Sequence, residues 1–132
     1  FDSFGGLRED WHGTSMASGH FDLGGEAPAV EDNVTLVAGW IDQTLPAFLS
    51  AHPGELFSFV HIDLDTFESA SMVLALLAGR IARGTIVLFD EYIGVPNWKQ
   101  GEFRAWQEFA ARQGLRFHYL GFSVTQAALQ VL

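Results

Sequence analysis

The sequence predicts an α/β domain with a mostly parallel sheet that closes in a C-terminal antiparallel hairpin. Three observations predict it. Short apolar runs of strand length alternate with segments whose apolar residues recur every three or four positions. The run Thr85-Ile86-Val87-Leu88-Phe89 shows no polar alternation, as suits a parallel strand covered on both faces. Three apolar runs end on a carboxylate, at Asp2, Asp63 and Asp90.

The elements follow in order. Phe1–Phe4 reads as the end of a strand. A Gly-rich stretch from Gly5 to about Glu31 has little periodicity and reads as a long loop, a feature usually tied to function. Val34–Ala38 is a β-branched run closed by Gly39, expected as a strand. Ile41, Leu45, Phe48 and Leu49 have helical spacing and are stopped by Pro53-Gly54. Phe57–Ile62 is the next strand, ending at Asp63. Phe67, Ala70, Leu74, Leu77 and Ile81 mark a helix with Gly84 beyond it, and Asp65 with Glu68 has the spacing of a capping box at its start. Thr85–Phe89 is a strand ending at Asp90-Glu91. After a loop from Tyr92 to Gly101, Phe103, Trp106 and Phe109 mark a last helix stopped by Gly114. Arg116–Leu120 and Ala127–Val131 form the hairpin. Alternation of this kind implies a single α/β domain with helices on both sheet faces.

Composition narrows the function classes. The 132 residues suit one domain, and 48% hydrophobic content supplies a core. The absence of cysteine excludes disulfides and thiolate metal sites and fits a cytoplasmic protein. Sixteen acidic against seven basic residues leave a net charge of −9 with no basic stripe, which argues against nucleic acid as a partner. No apolar run approaches the roughly 20 residues that cross a bilayer, so no membrane partner is expected.

The chemistry rests on the strand ends. In open α/β sheets ligands bind beyond the carboxyl ends of the strands. Asp2, Asp63 and Asp90 lie there, with Asp65 and Glu91 close behind. A carboxylate accepts paired hydrogen bonds from a ribose diol, and several together bind a hard cation such as Mg²⁺. Asp65 reads first as a helix cap. His61, inside a strand, reads as a packed core residue. Trp11, Phe21 and Trp98 lie in loops, where they line a pocket or anchor the loop.

Four segments together resemble a known family: Phe1-Asp2-Ser3-Phe4-Gly5-Gly6-Leu7, Gly39-Trp40-Ile41-Asp42-Gln43-Thr44-Leu45-Pro46, His61-Ile62-Asp63-Leu64-Asp65 and Phe89-Asp90-Glu91-Tyr92. Their order and spacing resemble class I S-adenosylmethionine-dependent methyltransferases, in particular the macrocin O-methyltransferase (TylF-like) group. The resemblance implies a Rossmann-like sheet and methyl transfer to the hydroxyl of a small-molecule acceptor, assisted by Mg²⁺. It implies that Asp2, with Ser3 beside it, accepts the ribose hydroxyls, and that Gly39 and Trp40 flank the adenine. It places Asp63, Asp90 and Glu91 at a divalent metal. Glu91 stands where a second Asp is usual, and Arg8 where Pro is common. Deprotonating the acceptor needs a metal or a base, for which Asp63 and the loop residues His12 and His20 are the candidates.

Such a fold opens with a strand and a Gly-rich turn, which this chain does not contain. The expectation is therefore the C-terminal portion of a methyltransferase. The strand ending at Asp63 then has an open edge, suited to a homo-oligomer or to pairing with another chain. The alternative expectation is a truncated, non-catalytic domain that folds or oligomerises without cofactor.

Overall fold

The structure is a computed structural model that describes residues 1–132. The chain forms two compact units, Phe1–Pro53 and Gly54–Leu132. No helix is long and apolar enough to cross a membrane.

The first unit is mostly loop. The two strands expected at Phe1–Phe4 and Val34–Ala38 are not regular strands. They meet in one parallel bridge between Asp2 and Ala38, with Asp2 N–H donating to Val37 O and Gly39 N–H to Asp2 O. β-branched composition made a strand there plausible, but a ladder needs successive paired residues, and this pairing stops at one.

The long Gly-rich loop folds back on itself through an antiparallel bridge between Gly5 and Asp22 and through Leu7 N–H to His20 O at 2.8 Å. Gly6 makes this possible. Its φ is +74°, and a Cβ there would collide with His20 O. Gly6→Ala should cost about 1–3 kcal/mol of stability, measurable by urea denaturation. A neutral result would mean that the loop is not held in this form.

Helix α1 (Ile41–Ala51) follows with Trp40 at its N-cap and Pro46 inside. Leu45 and Phe4 are the unit's buried apolar residues, and Phe1 meets Phe48 edge-on at 5.2 Å.

The second unit holds β1 (Phe59–Ile62), α2 (Phe67–Leu76), β2 (Ile86–Phe89), a 3-10 turn at Trp98–Gln100, α3 (Glu102–Gln113), β3 (Phe117–Phe122) and β4 (Ala127–Val131). The sheet order is β1-β2-β4-β3. β1 and β2 are parallel, with Ile62 opposite Phe89, so both strands deliver their C-terminal ends to the same edge. β4 runs antiparallel to β2 and to β3, completing the expected hairpin in a mixed sheet.

One sheet face makes the core. Ile62, Val87, Phe89, Ala127, Leu129 and Val131 are buried on it, together with Ala70, Val73 and Leu74 of α2 and Ala105, Trp106, Phe109 and Ala110 of α3. α2 and α3 also pack against each other. The face opposite is more open. There β1 exposes Phe59 and His61, so His61 is not the packed core residue expected. The pleat decides this, since His61 falls on the side away from buried Ile62.

α2 starts differently from expectation as well. Its cap is Thr66, whose hydroxyl accepts from Ser69 N–H, and not Asp65. Asp65 has φ +62° and sits at the centre of a three-residue turn closed by Thr66 N–H to Leu64 O at 2.6 Å. This is a strained conformation for a residue with a side chain, and it turns Asp65 out of capping position.

Candidate functional site

In the second unit the carboxylates gather at the shared end of β1 and β2. Asp63 and Asp65 follow β1, and Asp90 and Glu91 follow β2. The candidate ligand atoms of Asp63, Asp65 and Glu91 lie within 4.8 Å of one another, as do those of His61, Asp63 and Asp90. Asp63 is common to both sets. The residues expected at a metal are thus brought together, and His61 joins them.

Their environments differ. Asp90 accepts a hydrogen bond from Gln126 Nε2, and His61 Nε2 stands 3.6 Å from its Oδ1. The Gln126 bond, then Glu91 and His61, hold the Asp90 carboxyl below its usual range. Burial pushes Asp65 up to about 6, helped by Asp63 and Asp90. Burial pushes Glu91 up to about 9, with Glu102, Asp65 and a hydrogen bond to Asp90 adding to the effect. Buried Glu91 Oε2 has no hydrogen-bond partner.

Glu102 was not visible in the sequence as a site residue. It is the first residue of α3 and fully buried. Its Oε1 accepts from Leu64 N–H at 3.2 Å and its Oε2 from Glu91 N–H at 3.1 Å. Burial raises it to about 8, against the pull of those two bonds. The cues available were its place at a helix start and its nearness to the Asp90-Glu91 pair. Gln126, at the head of β4, was also missed.

These side chains suit a hard divalent cation. Asp63, Asp65, Asp90 and Glu91 offer oxygen ligands, and an unpartnered buried carboxylate oxygen beside like charges is costly unless a proton or a cation balances it. His61 adds a nitrogen.

The first unit gathers the residues expected at the nucleoside. Gly39 N–H donates to Asp2 O at 2.9 Å. Ser3 Oγ and Trp40 Cζ2 both lie within 4 Å of the space a Cβ on Gly5 would fill. Asp2 Oδ1 accepts from Phe4 N–H at 2.7 Å, and Ser3 Oγ from Gly5 N–H at 3.1 Å. The two side chains therefore shape their own turn. Arg8 lies over the Trp40 ring at 4.4 Å and pairs with Asp42 at 2.6 Å. His12 and His20 are exposed in the loop, where the His20 ring packs on Phe21.

Comparison with known proteins gives this geometry a setting. A family model described as a methyltransferase domain matches residues 7–92. No match is found among curated proteins. Two solved structures are similar. The apo structure of CalS11, described as a TDP-rhamnose 3'-O-methyltransferase of calicheamicin biosynthesis, is 28% identical with a TM-score of 0.57. It aligns with 71% of this chain and 40% of its own. A second structure of CalS11, described as calicheamicin methyltransferase, is 22% identical with a TM-score of 0.72, covering 98% of this chain and 58% of that one. The chain thus spans about half the length of these neighbours. With the family match over most of its length, and the same fold in these structures, this chain belongs to the methyltransferase-domain family.

Proposed function

We propose that this protein takes part in methyl transfer from S-adenosylmethionine to a hydroxyl of a small-molecule acceptor, assisted by Mg²⁺. The observation that carries the reading is the convergence of carboxylates at the ends of β1 and β2, with the buried Glu91 Oε2 left without a partner. Family membership and the O-methyltransferase description of a similar structure support it.

Asp63, Asp90 and Glu91 would hold the cation, with Asp65 and His61 beside them. Asp2 and Ser3 would face the ribose hydroxyls, and Gly39 and Trp40 the adenine. A sulfonium cofactor supplies an electrophilic methyl group. A bound divalent cation lowers the pKa of a hydroxyl that coordinates it. The chain's own part is to orient the acceptor and receive the hydroxyl proton, for which Asp63, His12 and His20 are the candidates. His61 adds an imidazole next to Asp90. The proposal includes self-association along β1, which forms one edge of its sheet with Phe59 54% exposed.

Calorimetry tests the reading. S-adenosylhomocysteine should bind with a dissociation constant of about 1 μM, or roughly −8 kcal/mol, and more tightly with Mg²⁺ present. Asp63→Ala and Asp90→Ala should abolish the Mg²⁺ effect. Unchanged Mg²⁺ dependence in both variants would remove the metal assignment. Absence of cofactor binding by this chain and by a version extended upstream would favour the non-catalytic reading.

A further inference from the structure

We propose that Glu102 is a positioning residue, tying together the two turns that carry the candidate metal ligands so that their carboxylates converge. The inference deepens the metal reading and rests on it. Leu64 lies between Asp63 and Asp65, and Glu91 follows Asp90. Each donates its backbone N–H to a different oxygen of the one Glu102 carboxylate. The two amides belong to turns 27 positions apart, and one side chain from a third element fixes both.

Several features fit this role better than that of a core filler. Glu102 is fully buried at the start of α3, where Ala105, Trp106 and Phe109 form the core on one side and the acids Asp63, Asp65 and Glu91 lie on the other. An apolar residue there would leave two part-buried N–H groups without this acceptor, and an unpaired carboxylate would be costlier still. The Glu102 carboxyl group has two oxygens, and each meets one of two converging N–H groups. Its place in the first turn of α3 is favourable for negative charge.

The Leu64 side of the tie also restrains strain. Leu64 O accepts from Thr66 N–H across the turn in which Asp65 has φ +62°. Leu64 is therefore held at its N–H by Glu102 and at its carbonyl by Thr66. A Cβ built on Gly101, which precedes Glu102, would stand 3.9 Å from Asp65 O, so the start of α3 backs directly onto this turn. Glu102 is not in either group of candidate ligands. It acts through the backbone of the residues that are.

Glu102→Gln and Glu102→Ala test the role, with Mn²⁺ as the metal and its binding read by electron paramagnetic resonance. Gln keeps one acceptor oxygen and places a donor against the other amide. Removal of a group that orients ligands typically weakens metal affinity by about 10–100-fold. Glu102→Gln should weaken Mn²⁺ binding by at least about tenfold while the variant stays folded. It should also speed hydrogen exchange at Leu64 or Glu91 without affecting Ala127–Val131. Glu102→Ala, if folded, should show both effects more strongly.

A Glu102→Gln protein with wild-type Mn²⁺ affinity would overturn the proposal. A merely structural role would lower stability and leave the affinity of the folded protein alone. Should the wild-type protein bind no Mn²⁺, the metal reading fails separately, and exchange decides. Faster exchange confined to the two turns in Glu102→Gln would keep the tie, and unchanged exchange at both amides would sink it.

Discussion

Trp106→Ala should lower the stability of the second unit by about 3–5 kcal/mol, the usual cost of emptying a large aromatic site. Trp106 is fully buried, and its ring meets Phe89 of β2 at 5.7 Å and Phe117 of β3 at 5.3 Å. One side chain on α3 thus contacts two strands that are not sheet neighbours. Domains commonly have only about 5–15 kcal/mol of stability, so the loss would take a large share of it. Trp106→Phe should cost less, because it keeps much of the apolar contact and removes a buried Nε1 that has no acceptor. Urea denaturation of the two variants gives the comparison. Equal losses in both would show that the indole's volume is not what the core depends on.

The second large effect is a dependence on pH that a divalent cation should reverse. Asp65, Glu102 and Glu91 rise to about 6, 8 and 9 in the folded protein, from ordinary values of 3.8 and 4.5. Above about pH 5 the folded unit therefore keeps protons that the unfolded chain has released. Stability must then fall as pH rises, most through buried Glu102 and less through half-buried Asp65 and Glu91, whose contributions solvent screens. Asp90 has the opposite sign: its lowered pKa stabilises the fold above its ordinary value and is lost in acid. The optimum set by these groups should lie near or below the ordinary carboxylate values, at about pH 4.

Mg²⁺ held as proposed would displace the protons of Asp65 and Glu91, so its stabilising effect should be larger at about pH 8 than at about pH 6. Denaturation at the two pH values, with and without millimolar MgCl₂, checks both signs. Stability that rises with pH in the absence of metal would contradict the buried-acid account. A Mg²⁺ effect equal at both pH values would contradict competition with protons. Glu91→Gln, which cannot ionise, should flatten the slope.

Much of the second unit was legible in the sequence because local pattern and tertiary packing agree there. The periods at Phe67–Leu74 and Phe103–Phe109 became α2 and α3, and the apolar runs before Asp63 and Asp90 became the parallel pair β1 and β2. The carboxylates after them were legible as a group for the same reason.

What was hidden depends on choices that spacing does not record. Phe59-Val60-His61-Ile62 has no polar alternation to say which side of β1 faces the core, so the exposure of His61 was not visible. Asp65 and Thr66 are both good caps, and only the positive φ of Asp65 decides between them. Glu102 reads as an ordinary acid of a first helical turn. Its burial comes from two amides, 38 and 11 residues away in the chain. Val34–Ala38 has strand composition, but composition does not supply a ladder.

The strand order β1-β2-β4-β3 has a consequence for how the second unit assembles. The last of its strands in the chain is not at the rim but between β2 and β3. Until Ala127–Val131 is in place, β3 has no neighbour and the exposed flank of β2 has no cover. The sheet is therefore completed from its middle, by its latest segment. A unit built this way cannot gain stability strand by strand as the chain lengthens. Its folding must wait on contacts that are distant in sequence, and a cut before Ala127 would remove the piece that makes the other strands one sheet.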